Sequence, residues 1–162
     1  MSDLRIESVT LNQWPKETCR FTDLSYEQSA TYNEAAARRI GAASQYVVLK
    51  NGDEKVAAAA VRLKSVPAFG RGIAWISAGP ITSCDQCRKP LSAAEMHSVF
   101  LELRKKFVDE QGHILRLRLP AHGQLEAHEA TIIAQDAGFK ITNRSPGYST
   151  VLLDIQKQDE EL

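Results

Sequence analysis

Two arginines spaced by one residue, Arg116 and Arg118, sit in the run His113-Ile114-Leu115-Arg116-Leu117-Arg118-Leu119. The strict alternation predicts a strand with Leu115, Leu117 and Leu119 on one face and both guanidinium groups on the other. A guanidinium recognises carboxylate or phosphate in a bidentate fork. The pair therefore either lines a cleft that holds an anionic ligand, or lies on an exposed or edge face against carboxylates such as Glu126 or Glu129. Trp75 falls in a second short apolar run, and it is a candidate to stack on the same ligand, as are Tyr32 and Tyr148. Core packing is the alternative for each. Cys84-Asp85-Gln86-Cys87 has the spacing of half a zinc site or a redox pair, but no second Cys-x-x-Cys exists to complete it, and an ordinary loop is the simpler reading. The histidines His97, His113, His122 and His128 have no ligand-like spacing. His122-Gly123 follows the arginine strand, where a general base could sit, but it has no identifiable partner and reads as a surface loop. No Ser-His-Asp or Gly-x-Ser-x-Gly pattern appears. Arg104-Lys105-Lys106 is the solvated face of a helix.

Positioning such groups needs a sheet, and the composition allows one. The 162 residues are 43% hydrophobic and 25% charged, enough for one domain with a real core. The formal net charge of zero excludes a strongly basic nucleic-acid binder as a whole-chain reading. No run approaches the roughly 20 apolar residues of a membrane span. Met1-Ser2-Asp3-Leu4-Arg5 does not resemble a secretory leader, so a cytoplasmic location is expected. Three cysteines, an odd count, argue against a disulfide framework.

The chain divides into short elements. Residues 5–11 read as a strand ended by Trp14-Pro15. Ser25-Tyr26-Glu27-Gln28 matches a capping box, predicting a helix whose apolar stripe is Tyr32, Ala35, Ala36 and Ile40 and whose end is Gly41. Residues 46–49, 56–63 and 72–78 form an antiparallel meander, with Asn51-Gly52 as its first hairpin turn. The alanines of residues 57–60 predict a strand crowded on both faces. A second capping box at Ser92-Ala93-Ala94-Glu95 opens a helix with Met96, Val99, Phe100, Leu103 and Phe107 inward. After the arginine strand come a helix over 124–137 with Leu125, Ile132 and Ile133 inward, a strand over 139–143, a Ser145-Pro146-Gly147 turn and a last strand over 149–155. The order is β-α-βββ-α-β-α-β-β, an α/β chain with a mixed sheet.

That order resembles the GCN5-related N-acetyltransferase (GNAT) fold, in which a mixed sheet splays open between its fourth and fifth strands. Glu27-Gln28-Ser29 with Tyr32, Ala57-Ala58-Ala59-Ala60-Val61, Ser77-Ala78-Gly79-Pro80-Ile81, Leu117-Arg118-Leu119-Pro120, Ala137-Gly138-Phe139 and Ser149 to Ile155 resemble, in that order, segments of FemAB-type peptidoglycan aminoacyltransferases. The resemblance implies a single GNAT-like domain over residues 1–155, matching the N-terminal half of a tandem pair. Residues 156–162 are then a polar tail or the start of a missing second domain. It implies acyl transfer, aminoacyl or N-acetyl, completed by a second domain or a partner, including a second copy of the chain. The acceptor would be a peptidoglycan precursor or similar anionic peptide ligand, with aminoacyl-tRNA as donor only if a second domain is present. A basic residue on the first helix would reach the precursor's phosphates. The matching position is Ala36, and Arg38 and Arg39 are the nearest basic residues. The substrate-binding set is thus Tyr32, Arg38, Arg39, Trp75, Arg116, Arg118 and Tyr148, with no catalytic residue and no metal ligand assigned. Acetyl-CoA enzymes of this fold carry a Gln/Arg-x-x-Gly-x-Gly/Ala turn after the fourth strand, whose N–H groups bind pyrophosphate. Residues 79–90 hold no glycine pair and two prolines, so no cofactor is expected. A stand-alone acetyl-CoA-dependent N-acetyltransferase and a non-catalytic binding or assembly module remain the alternatives.

Overall fold

A computed structural model describes residues 4–66, 71–83, 91–120 and 127–142. Cys84, Cys87, His122, Leu125, the Ser145-Pro146-Gly147 turn, Tyr148, the expected strand over 149–155 and the tail lie outside the described residues. The described elements are β1 (Leu4–Val9), α1 (Trp14–Thr18), a 3-10 turn (Tyr26–Gln28), α2 (Ala30–Arg39), β2 (Ala43–Asn51), β3 (Glu54–Val66), β4 (Arg71–Ser77), α3 (Ala93–Arg104) with a π-helical extension (Lys105–Glu110), β5 (His113–Arg118) and α4 (Ala127–Asp136).

The five strands form one sheet in chain order, antiparallel from β1 to β4, with β5 parallel to β4. The Asn51-Gly52 signal gives a two-residue hairpin: Asn51 pairs with Glu54, and Gly52 takes a φ of 61°, which costs glycine no steric strain. One sheet face packs on α3 and α4 through Val47, Leu49, Ala57, Ala59, Val61, Ala74 and Ile76. Met96, Val99, Phe100, Leu103 and Phe107 all point into this core as their spacing predicts. Each fully buried large side chain there contributes about 1.5–3 kcal/mol. The Ser92/Glu95 capping box is present with both of its bonds. The other face packs Tyr46, Val48, Ala58 and Ala60 under Trp14, Phe21 and Ile81. The alanine run of β3 is buried on both sides, as expected.

Several expectations are corrected. Trp14-Pro15 does not merely end a strand; it opens α1, which lays Trp14 flat into the second core. Ser25 makes no capping bond, and the cap of α2 is Ser29, whose Oγ accepts from Tyr32 N–H. The buried face of α2 is Asn33, Ala36 and Ala37, while Tyr32, Ala35 and Ile40 are exposed. The buried stripe is thus turned by about one residue from the expected one, as the helix docks on the sheet through Asn33, Ala36 and Ala37. In α4 Ile133 is buried but Ile132 is exposed, and Ala130, Ala134 and Ala137 complete the inner stripe. Residues 139–142 carry no strand.

The largest correction concerns where the sheet opens. β4 and β5 are paired without interruption from Gly72–His113 to Ser77–Arg118, and Gly79 N–H continues the contact onto Arg118 C=O at 3.1 Å. The opening lies instead between β3 and the continuation of β4. Their ladder stops at Val61–Ile76; the chain turns out at Ala78, with a φ of 48°, passes a cis Gly79-Pro80 bond, and returns to bridge Ala58 at Ile81. The Gln28 side chain fills the gap. Its Oε1 accepts from Ala60 N–H at 2.7 Å, and its Nε2 donates to Ser77 C=O at 2.6 Å and to Ala60 C=O at 3.4 Å. A Cβ on Gly79 would come within 3.0 Å of the Gln28 amide, so glycine there leaves the room that Gln28 uses.

Two outcomes follow from this packing. Gln28→Leu keeps the volume but strands Ala60 N–H and Ser77 C=O without partners; chemical denaturation should show a loss of roughly 2–6 kcal/mol. Tyr46, buried between β2 and α2 and donating to Glu34 Oε1 at 2.9 Å, has its phenol pushed up to about 12, first by burial and then by Glu34. The unfolded chain loses this proton nearer the ordinary value of 10, so the stabilisation is whole below pH 10 and is lost as pH rises through about 12. Alkaline denaturation followed by ultraviolet difference absorbance should show that loss, and Tyr46→Phe should remove it.

Candidate functional site

The α1–α2 layer covers β2 and the lower part of β3, and no described element covers the same face of β4 and β5. On that face the register sets Arg62, Trp75 and Arg116 side by side across three strands. Both cations sit over one indole: the Arg62 Cζ lies 5.5 Å and the Arg116 Cζ 5.3 Å from the Trp75 ring centroid. Arg62 is 9% exposed, and its Nη2 donates to Ser77 Oγ at 2.6 Å. Burial pulls the Arg62 guanidinium below its ordinary value, with the Tyr32 phenol opposing that shift and Arg39 adding to it. Among the described residues neither Arg62 nor Arg116 has a carboxylate partner.

A chain of contacts runs on from this row. Tyr32 meets Tyr26 edge to face at 5.0 Å. The Tyr26 hydroxyl donates to Glu27 Oε1 at 3.2 Å, and the Glu27 carboxylate pairs with Arg118, the register neighbour of Ser77. The contacts thus enclose one stretch of sheet face, from Arg116 through Trp75, Arg62, Tyr32, Tyr26 and Glu27 to Arg118.

Of the residues singled out in the sequence, Tyr32, Trp75, Arg116 and Arg118 come together here. Arg39 stands at the border, near enough to act on Arg62. The Arg38 side chain is exposed and makes no hydrogen bond or ion pair among the described residues. Tyr148 lies outside the described residues. The two strand arginines differ in state, since Glu27 holds Arg118, while Arg116 rests on Trp75; Glu126 lies outside the described residues. Sequence reasoning missed Arg62, Glu27 and Ser77. The signal for Arg62 was available, a lone charge inside the apolar run from Val56 to Leu63. Glu27 was hidden because its segment was read as a helix cap.

Three N–H groups of the backbone beyond β4 are engaged. Gly79 N–H goes to Arg118 C=O, Pro80 has none, Ile81 N–H goes to Ala58 C=O, and Thr82 N–H goes to Asp23 Oδ2 at 2.8 Å. The N-terminus of α3 carries its own carboxylate, Glu95, whose Oε2 accepts from Ser92 N–H at 2.9 Å. No group of three or more metal-ligating side chains is present among the described residues. Their helices include none long and apolar enough to cross a membrane.

The Glu27–Arg118 pair is buried at one end and partly open at the other. A double-mutant cycle with Glu27→Gln and Arg118→Met should return a coupling of about 1–3 kcal/mol, between the surface and buried limits for ion pairs.

No family model matches the chain, and no curated protein does. Solved structures do. FemX superposes with a TM-score of 0.60 at 12% identity, over 84% of this chain and 32% of FemX. A "probable acetyltransferase" superposes at 0.53 with 16% identity, over 93% of this chain and 99% of the other. A "possible acetyltransferase" from Clostridium difficile 630 does so at 0.50 with 12% identity, over 92% and 99%. This chain therefore spans under a third of the length of FemX and nearly the whole of the two acetyltransferases. At such identities the likeness is one of fold. The chain has the GNAT-like mixed α/β fold, which it shares with a part of FemX.

Proposed function

We propose that this chain is a FemAB-like acyltransferase domain, equivalent to an N-terminal half, that binds an anionic, peptide-bearing substrate such as a cell-wall precursor. The observation that carries the reading is the enclosed stretch of sheet face, where Tyr32, Trp75, Arg116 and Arg118 converge with Arg62 and Glu27. Acyl transfer on such a face works by holding an amine against an activated acyl ester, which alone supplies a large part of the rate. It needs no nucleophile from the protein. An aminoacyl-tRNA donor would require a second domain, and a partner domain or a second copy would complete the site. The setting is cytoplasmic. The reading assigns no cofactor. A pyrophosphate needs free N–H groups after the fourth strand, and those of Gly79, Ile81 and Thr82 are already used.

The near-complete overlap with the two acetyltransferases favours a second reading, a stand-alone N-acetyltransferase using acetyl-CoA. Thermal shift separates the two. A nucleotide-linked peptidoglycan precursor peptide should raise Tm with dose, by about 2.7 kcal/mol of stability at 100 times its Kd, while acetyl-CoA leaves Tm unchanged. Protection by acetyl-CoA alone would establish the second reading. Protection by neither would leave a non-catalytic binding module.

A further inference from the structure

We propose that Arg62, Trp75 and Arg116 form a receptor for a single oxyanion, phosphate or carboxylate, borne by an organic ligand that lies across β3, β4 and β5. This rests on reading that sheet face as the substrate face, and it names the group of the substrate that the face would hold.

Two cations share one ring in this row. Each gains from the indole face, Arg39 adds a like charge near Arg62, and no described carboxylate lies between or beside the two. Arg62 is the costlier of the two, being 9% exposed with a buried Nε that has no partner. A buried guanidinium without a counter-charge is unfavourable. Its bond to Ser77 Oγ is neutral, and Tyr32, which also acts on it, is a phenol rather than a carboxylate. An anion bound against the row would give Nε an acceptor and compensate both charges at once. Guanidinium suits this task better than ammonium because its donors lie in a fixed plane. Arg118 is not part of the receptor, since Glu27 already neutralises it.

The adjoining row indicates that the ligand is organic. Ile73 pairs in register with Ile114 on the same face, and the two are 37% and 66% exposed. A bare inorganic ion would leave this apolar step unused; a ligand with a carbon skeleton next to its anionic group would cover it. Either the diphosphate of a nucleotide or the α-carboxylate of a peptide supplies the required chemistry.

The test uses the full chain and tryptophan fluorescence. Trp14 is enclosed and donates to Gln28 C=O, so a ligand-dependent change reports Trp75. The probes are UDP, a short peptide with a free α-carboxylate, the same peptide amidated, and inorganic phosphate. UDP or the free-acid peptide should give a saturable change; whichever does identifies the source. The amidated peptide and inorganic phosphate should bind at least about tenfold more weakly than that probe. Arg116→Ala and Arg62→Met should each weaken the successful probe by about tenfold or more, Arg62→Lys should weaken it less, and Lys106→Ala should leave it unchanged. If Arg62→Met does not fold by circular dichroism, the exposed Arg116→Ala decides alone. The proposal is overturned if no probe saturates in the millimolar range, if both arginine variants bind as the parent does, or if phosphate binds as well as the organic anions. The outcome is separable from the reading above. Anion binding that needs Arg62 and Arg116, without precursor binding, would remove that reading and keep this receptor. Precursor binding indifferent to both arginines would do the reverse.

Discussion

The structure turns on one side-chain amide standing in for a peptide group. Where β4 leaves β3, Ala60 and Ser77 would face an empty slot with unpaired backbone groups, a costly arrangement in a core. Gln28 reaches in from the 3-10 turn and bonds to both strands. The interaction fixes three things together. It sets where the sheet divides, it anchors the start of α2 against the sheet, and it leaves little room for a Cβ at position 79. Trp14 is bound into the same arrangement through Gln28 C=O, so α1 is tied to it as well.

With α1 and α2 pinned to β2 and the lower part of β3, no described element covers the same face of β4 and β5, and strand alternation decides what it shows. Arg62, Trp75, Arg116 and Arg118 point to it because Val61, Ala74, Ile76, Leu115 and Leu117 must point to the opposite core. A one-residue slip in any of these strands would exchange arginines for core residues, so the hydrophobic layer under α3 and α4 holds the polar row in register.

What was legible in the sequence was whatever rests on local periodicity. The Ser92 capping box, the stripe from Met96 to Phe107, the Asn51-Gly52 turn and the alternation of β5 each encode their structure within a few residues. What was not legible depends on partners far along the chain. Gln28 looked like part of a cap because the cap pattern is local, whereas its actual partners lie 32 and 49 residues away. The helix docks through Asn33, Ala36 and Ala37, which leaves Tyr32 exposed. Arg118 and Arg116 are alike in sequence, and only the fold shows that Glu27 neutralises one and leaves the other on Trp75. The opening of the sheet was expected one strand interval too late, since nothing in β4 or β5 themselves reveals how far their ladder runs.

The Glu95 capping box has a consequence for how the molecule responds to ionic strength. A helix start that carries its own anion has little use for one from the buffer, and the exposed pairs, such as Lys50 with Glu7, are weak enough that screening them matters little. The Arg62 guanidinium is the reverse case, a buried cation on which Arg39 acts as a like charge with no described carboxylate to compensate. Dissolved electrolyte, with a Debye length near 8–10 Å in the physiological range, weakens repulsion over that span. The empty domain should therefore become slightly more comfortable as electrolyte is added, a trend opposite in sign to that of a protein held together by surface ion pairs.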